Sequence, residues 1–196
     1  GYYADIYNDK GIIEIQTRQL NKLRDKLAVF LQDYHVTVVY PLPFNKWLSW
    51  VNPDNGEARG RRKSPRHFTE YDAFYELYKI KSYLKNPNLS INLVLMDMEE
   101  YKLLNGWSYD KKRGSTRYDR VPVGIRRIVR FDRIEDYMQL VPADLKEDFT
   151  VKDFAIAAGV SVEASRYTLN ILNYLEIVKR TGRVKNGYVY NVTEEF

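Results

Sequence analysis

The chain has 196 residues, with 31 Lys/Arg against 26 Asp/Glu for a net charge of +5, and 44% of it is hydrophobic and 14% aromatic. That is enough apolar material for a packed core, and the length allows one domain plus a small second one. With no cysteine and two histidines, disulfides, thiolate zinc sites, cysteine nucleophiles and imidazole-rich centres are excluded, so any metal would be a hard cation on oxygen ligands, magnesium first.

In chain order, residues 2–7 and 12–16 read as two strands around the turn Asn8-Asp9-Lys10-Gly11. Residues 18–33 read as an amphipathic helix with Leu20, Leu23, Leu27, Phe30 and Leu31 on one stripe. His35 to Tyr40 is a short buried strand, which Pro41 and Pro43 should end. Residues 44–66 then read as a long polar loop. A second helix is expected over 68–84, its aromatic stripe Phe68, Tyr71, Tyr75 and Tyr78 serving the core. Ser90 to Met96 is another apolar strand, and Asp97 to Leu104 a short helix before Asn105-Gly106. Residues 107–120 look like a basic loop or hairpin, and 121–131 like a strand. Past Pro142, two short helices are expected over 151–158 and 162–175 around the turn Gly159-Val160-Ser161, then a hairpin whose arms are 177–180 and 188–192. The Gly permits the sharp turn between the helices. No apolar run approaches the ~18–20 residues of a membrane span, and no signal-peptide stretch opens the chain. A cytoplasmic protein with no membrane partner is the expectation.

The positive charge is concentrated. Residues 59–67 hold Arg59, Arg61, Arg62, Lys63 and Arg66 with no acid, and 107–133 hold nine Lys/Arg, among them Lys111, Lys112, Arg113 and Arg117, against three Asp. The rest of the chain is net acidic. Trp47, Trp50, Trp107, Tyr109 and Tyr118 are interleaved with these cations. Cations and aromatic rings in one stretch suit a phosphate backbone and its bases, so nucleic acid, DNA first, is the expected partner. A homodimer is compatible with this reading.

The sharpest chemical pattern lies in the first 16 residues. If Tyr7 faces Ile12 across the turn, Asp5 faces Glu14 and Tyr3 faces Gln16. Tyr3, Asp5, Tyr7, Ile12, Glu14 and Gln16 then share one face, and Tyr2, Ala4, Ile6, Ile13 and Ile15 form an apolar opposite face. Opposed carboxylates repel, and a divalent cation between them relieves the repulsion. Asp97, at the end of an apolar strand, is a further acid in a position that α/β active sites often use.

The order strand with Asp5, strand with Glu14-x-Gln16, amphipathic helix, buried strand resembles the PD-(D/E)XK nuclease-like core over roughly residues 2–40. The resemblance implies an α/β (α+β) fold, a restriction-endonuclease-like mixed sheet flanked by helices. It also implies Asp5 and Glu14 as magnesium ligands, with Gln16 at the place of the usual lysine. This sequence departs from the pattern in having Ala4 rather than Pro before the first acid and a glutamine that carries no charge. Arg18 or Lys22 on the next helix could supply the missing cation. The family's first core helix would precede residue 1.

Residues 143–196, with helix, turn, helix and two-stranded hairpin, resemble winged helix-turn-helix domains over about 45 residues. That divides the chain into a nuclease-like domain over 1–142 and a small winged-helix domain over 143–196. The resemblance implies that the second helix presents Ser161, Arg166, Tyr167, Thr168, Asn170 and Asn173 to a groove, and that the wing adds Lys179, Arg180, Arg183 and Lys185. Residues 144–196 carry seven Lys/Arg against eight Asp/Glu, which argues against unaided DNA binding and leaves a protein-docking role open. The functions expected are therefore a magnesium-dependent nuclease-like enzyme cutting DNA phosphodiesters, a non-catalytic DNA-binding regulator or antitoxin on the same scaffold, or an interaction module.

Overall fold

The structure is a computed structural model that describes residues 1–106, 114–185 and 187–193. Trp107, Tyr109, Lys111, Lys112 and Arg113 of the expected basic segment lie outside the described residues.

Strands β1 (Ile6–Asn8) and β2 (Gly11–Ile15) form the first hairpin, with Tyr7 opposite Ile12 as its turn residues require. The turn closes on a Lys10 amide bond to Asn8 Oδ1, and Gly11 follows at φ +116°. A Cβ on Gly11 would come within 2.2 Å of the His35 carbonyl oxygen, so only glycine lets β2 start beside the strand it pairs with. A 3-10 turn (Leu20–Leu23) leads into helix α1 (Arg24–Asp33). That helix crosses over to β3 (Val36–Val51), which runs parallel to β2.

Several expectations fail in the middle of the chain. Pro41 and Pro43 do not end the strand, which continues to Val51 and pairs antiparallel with β4 (Ala58–Lys63). The expected loop over 44–66 is thus mostly a two-stranded ribbon. Proline is tolerated in a strand where its missing N–H faces away from the ladder. The expected second helix is one turn of α-helix, α2 (Phe74–Leu77), between 3-10 turns Glu70–Ala73 and Tyr78–Tyr83, with a kink at Ile80. Its core face is Ala73, Phe74, Leu77, Ile80 and Leu84, not the aromatic stripe; Tyr75 and Tyr78 are exposed. The expected helix over 97–104 is instead the second half of β5 (Leu89–Leu103). Strand β6 (Thr116–Phe131) follows.

The C-terminal segment matches the sequence reading closely. A short β7 (Phe149–Thr150) precedes α3 (Val151–Ala158), α4 (Val162–Tyr174), β8 (Val178–Val184) and β9 (Gly187–Val192). Thr150 and Asp153 form a capping box on α3, Gly159 ends it at φ +65°, and Ser161 caps α4.

A six-stranded mixed sheet takes the order β1-β2-β3-β5-β6, with β4 beside β3, and a three-stranded sheet takes the order β7-β9-β8. The molecule is therefore a mixed α+β fold with helices flanking a mixed sheet. Two compact units are resolved. The first comprises Gly1–Tyr40, Glu70–Leu93 and Val129–Phe196, and the second Pro41–Thr69 and Val94–Ile128. The first has an apolar core of Leu20, Leu27, Val36, Val38, Phe74, Ile91, Leu93, Phe131, Phe154 and Leu169. In it Tyr167 of α4 packs edge-on against Tyr75 and Tyr78 at 5.1 and 5.6 Å, which is where the aromatic stripe goes. The second is a ribbon-like sheet rich in paired charge. Among the described residues, no helix is long and apolar enough to cross a membrane.

Candidate nucleic-acid interface and carboxylate hairpin

The hairpin places its acids differently from the two-faced picture. Ile12 and Glu14 point into the core, 4% and 1% exposed, while Ile6 and Ile15 on the other face are exposed. The face with the acid is the buried one because β2 sits under α1. The charge is met by Lys26 of α1, whose Nζ lies 2.7 Å from Glu14 Oε2. Glu14 Oε1 is buried without a hydrogen-bond partner among the described residues. Asp5 precedes the first strand, and its Oδ2 accepts the Ile15 amide at 2.8 Å, extending the ladder with a side chain. Gln16 donates from Nε2 to the Arg18 carbonyl at 2.5 Å. The three residues are close in the ladder, but each carboxylate has its own partner.

The cation beside Glu14 is thus Lys26 rather than Arg18 or Lys22. The sequence carried a signal for it: Lys26 lies three residues after Leu23 and four before Phe30, inside the apolar stripe of α1. No group of three or more His, Cys, Asp or Glu that could hold a metal occurs among the described residues. Glu14 is held by Lys26 and Asp5 by the Ile15 amide, so a cation between the two carboxylates would compete with Lys26 for Glu14.

In the second unit, the expected cations on β4 are all exposed. Arg61 and Lys63 lie over Trp47 at 5.1 and 5.8 Å, Arg62 over Trp50 at 5.0 Å, and Arg66 over Phe68 at 4.4 Å. Arg61 also pairs with Glu99 at 2.9 Å, and Arg59 with Glu57. Stacking a guanidinium on an indole leaves its outward N–H groups available for phosphate.

Asp97 and Glu100 on β5 are buried, and both serve the sheet. Asp97 takes Arg126 Nε at 2.7 Å and Asn45 Nδ2 at 2.8 Å. The Arg126 hydrogen bond holds the Asp97 carboxyl below its ordinary value against the effect of burial. Burial works to raise Glu100 too, but Arg120 at 2.8 Å, Lys46 at 3.4 Å and Arg117 at 3.7 Å outweigh it and hold it low. Arg117 is therefore part of this network as well as a candidate phosphate ligand. None of these partners was visible in the sequence, because the pairs are strand-to-strand and about 20 to 55 residues apart.

In the first unit, α3, α4 and the β8–β9 hairpin enclose a cleft of about 520 Å³. Lys152, Arg166, Arg180 and Lys185 line it together with Asn170 and Tyr188, and no acid does among the described residues. None of the four cations makes an ion pair among the described residues. Arg180 instead stacks on Tyr188 at 4.1 Å, and Arg183 lies over the same ring at 5.6 Å. Asn170 gives its carbonyl oxygen to Lys81, leaving its amide N–H groups for the cleft. Ser161 and Arg166 are exposed as expected, whereas Thr168 is buried in the core. The near-balanced charge of residues 144–196 concealed this clustering: four of the cations converge on the cleft, and none of the described acids lines it.

A family described as a domain of unknown function, DUF8091, matches residues 1–132. The α3, α4 and hairpin segment lies beyond that stretch. A protein of Treponema pallidum (strain Nichols), described as uncharacterized, is 28% identical over 179 residues, covering 88% of this chain and 68% of its own length. No solved structure matches.

Proposed function

We propose that this chain, which belongs to the DUF8091 family of domains of unknown function, is a nucleic-acid-binding protein. The observation that carries the reading is the cleft where Lys152, Arg166, Arg180 and Lys185 meet with no acid among the described lining residues. Four like charges around one hollow repel, and an anionic backbone removes that cost. On this reading residues 143–196 act as a winged-helix module, with α4 presenting Arg166 and Asn170 and the β8–β9 hairpin acting as the wing. The cations of β4 add a second phosphate-binding surface. The test is fluorescence anisotropy with a 20-base-pair DNA duplex, comparing wild type with Arg166→Gln and Arg180→Gln. Loss of affinity in both supports the reading; unchanged binding in both removes the cleft from it.

A second reading keeps the hairpin as a hydrolytic site on a nuclease-like core. It is favoured by Glu14 Oε1, a buried acceptor with no partner among the described residues. Asp5 and Glu14 would give one carboxylate each to magnesium, which when bound polarises a scissile phosphate and acidifies water. Lys26 stands where a cation is needed beside the second acid, and Gln16 would orient water through its carboxamide. A cleavage assay with magnesium or manganese on plasmid, linear and single-stranded DNA decides it. Cleavage lost in Asp5→Ala and Glu14→Ala supports hydrolysis, and no cleavage by protein that still binds DNA leaves a binding protein on a nuclease-like scaffold.

A further inference from the structure

The β3–β4 pair carries an indole with cations on each face, and a bulge makes it so, although Ser49 and Val51 on the Trp47 face are buried and Leu48 and Trp50 on the other are half-buried. Trp47 lies opposite Lys63 and Leu48 opposite Arg62, but Trp50 lies opposite Arg59. Gly60 and Arg61 therefore share the place opposite Ser49, a two-against-one β-bulge. Gly60 sits there at φ +68°, and a Cβ on it would touch the Trp50 ring at 3.4 Å. The consequence is a redistribution of charge. In an unbroken strand Arg59, Arg61 and Lys63 would share one face and leave Arg62 alone on the other. With the bulge, Arg61 and Lys63 cover Trp47 on one face, and Arg59 and Arg62 attend Trp50 on the other.

The match goes further. On each face one arginine is paired with an acid, Arg61 with Glu99 and Arg59 with Glu57. On each face one cation, Lys63 or Arg62, has no ion pair among the described residues. Both indoles are half-buried, and every residue of β4 is exposed. Each side thus offers one ring, one cation outside any close ion pair among the described residues, and a guanidinium layer on which a base can stack.

We infer that this ribbon is a wedge for nucleic acid at the point where a duplex opens, taking one strand on each face. A surface for one backbone needs cations on one side only, and duplicating the ring-and-cation set on both faces of the sheet where β4 forms its exposed edge serves two separated strands. The inference rests on the nucleic-acid reading above and names the form of the substrate. An unopened duplex gripped by the ribbon in its major groove is the competing arrangement, and it needs no base stacking.

The experiment measures binding of a forked DNA, a blunt duplex and a single strand of the same length, with 2-aminopurine at the fork's first unpaired position. The fork is expected to bind roughly tenfold tighter than the blunt duplex, the effect of about one stacked base, with a change in 2-aminopurine emission. Trp47→Leu and Trp50→Leu should each lower the fork preference several-fold and leave duplex affinity in place, because the cleft cations are untouched. If either indole variant fails to fold by circular dichroism, Arg62→Gln and Lys63→Gln, both at exposed positions, replace it, and the readout is then the ratio of fork to duplex affinity, because these cations also meet duplex phosphate. Equal binding of fork and duplex, or a fork preference that survives all of these variants, overturns the wedge while the nucleic-acid reading stands. No binding to any of the three DNAs overturns both.

Discussion

Glu14 is a residue whose energetic role is set by one partner. Its carboxylate is 1% exposed, and Lys26, itself largely covered, is the ion it meets. A buried pair of this kind contributes little net stability over an apolar pair, because desolvation offsets the Coulomb gain. Removing only one member is different, since it strands the other charge away from water. Lys26→Met should therefore destabilise the protein by about 3 kcal/mol, the low end for such pairs because Lys26 retains some solvent. Glu14→Gln leaves a neutral amide beside a lysine that can reach water, and should cost only about 1 kcal/mol. Urea unfolding of the two variants measures both. Equal and small effects would mean that the lysine swings into solvent and the pair does not govern the hairpin.

At the scale of elements, the second half of β5 and residues 117–126 of β6 are held by charge, whereas residues 89–95 of β5 and Val129 and Phe131 of β6 are held by the apolar core. Asp97 and Glu100 are both kept below their ordinary values, 3.8 and 4.5, by Arg126 and by Arg120 with Lys46. A depressed carboxylate contributes stability that is fully present above its unfolded value and is lost as pH falls through its folded value. Urea midpoints should therefore be flat from neutrality to about pH 5 and fall steeply below about pH 4. Arg126→Gln should raise the Asp97 value, seen by carboxyl NMR, and start the acid loss at higher pH. A variant that titrates like wild type would assign the acid sensitivity to other groups. This charge-held architecture also explains what the sequence could not convey. Strand β4, Ala58–Lys63, is exposed on both faces, so it has no alternation of apolar and polar residues and resembles a loop. The Asp97–Leu103 half of β5 has acids whose partners sit on β3, β4 and β6, and no local pattern announces them. By contrast α3 and α4 have caps, a helical stripe and a glycine stop within 25 residues, and they were fully legible. The hairpin register was legible too, because a four-residue turn determines it. Which of its faces is buried was not, since that depends on where α1 lies.

At the scale of the whole molecule, the net charge of +5 says less than its distribution. Most cations of the β5–β6 region are spent on carboxylates, and those of the α3–α4 cleft are not. Only cations that release counterions from a phosphate chain contribute to salt-dependent affinity, at about −0.9 in slope for each contact on duplex DNA. The four cleft cations should thus contribute about −3 to −4 to the log–log slope of duplex affinity against salt. If all the surface lysines and arginines acted as a diffuse cloud, the slope would be far steeper, and no single substitution would change it appreciably. Arg166→Gln and Arg180→Gln should each reduce it by about one and weaken different sequences equally, which is the mark of a phosphate contact rather than a base contact. Arg126→Gln serves as the control, because that guanidinium is committed to Asp97. A slope that falls as much for Arg126→Gln as for Arg166→Gln would show that net charge, and not the cleft, sets the affinity.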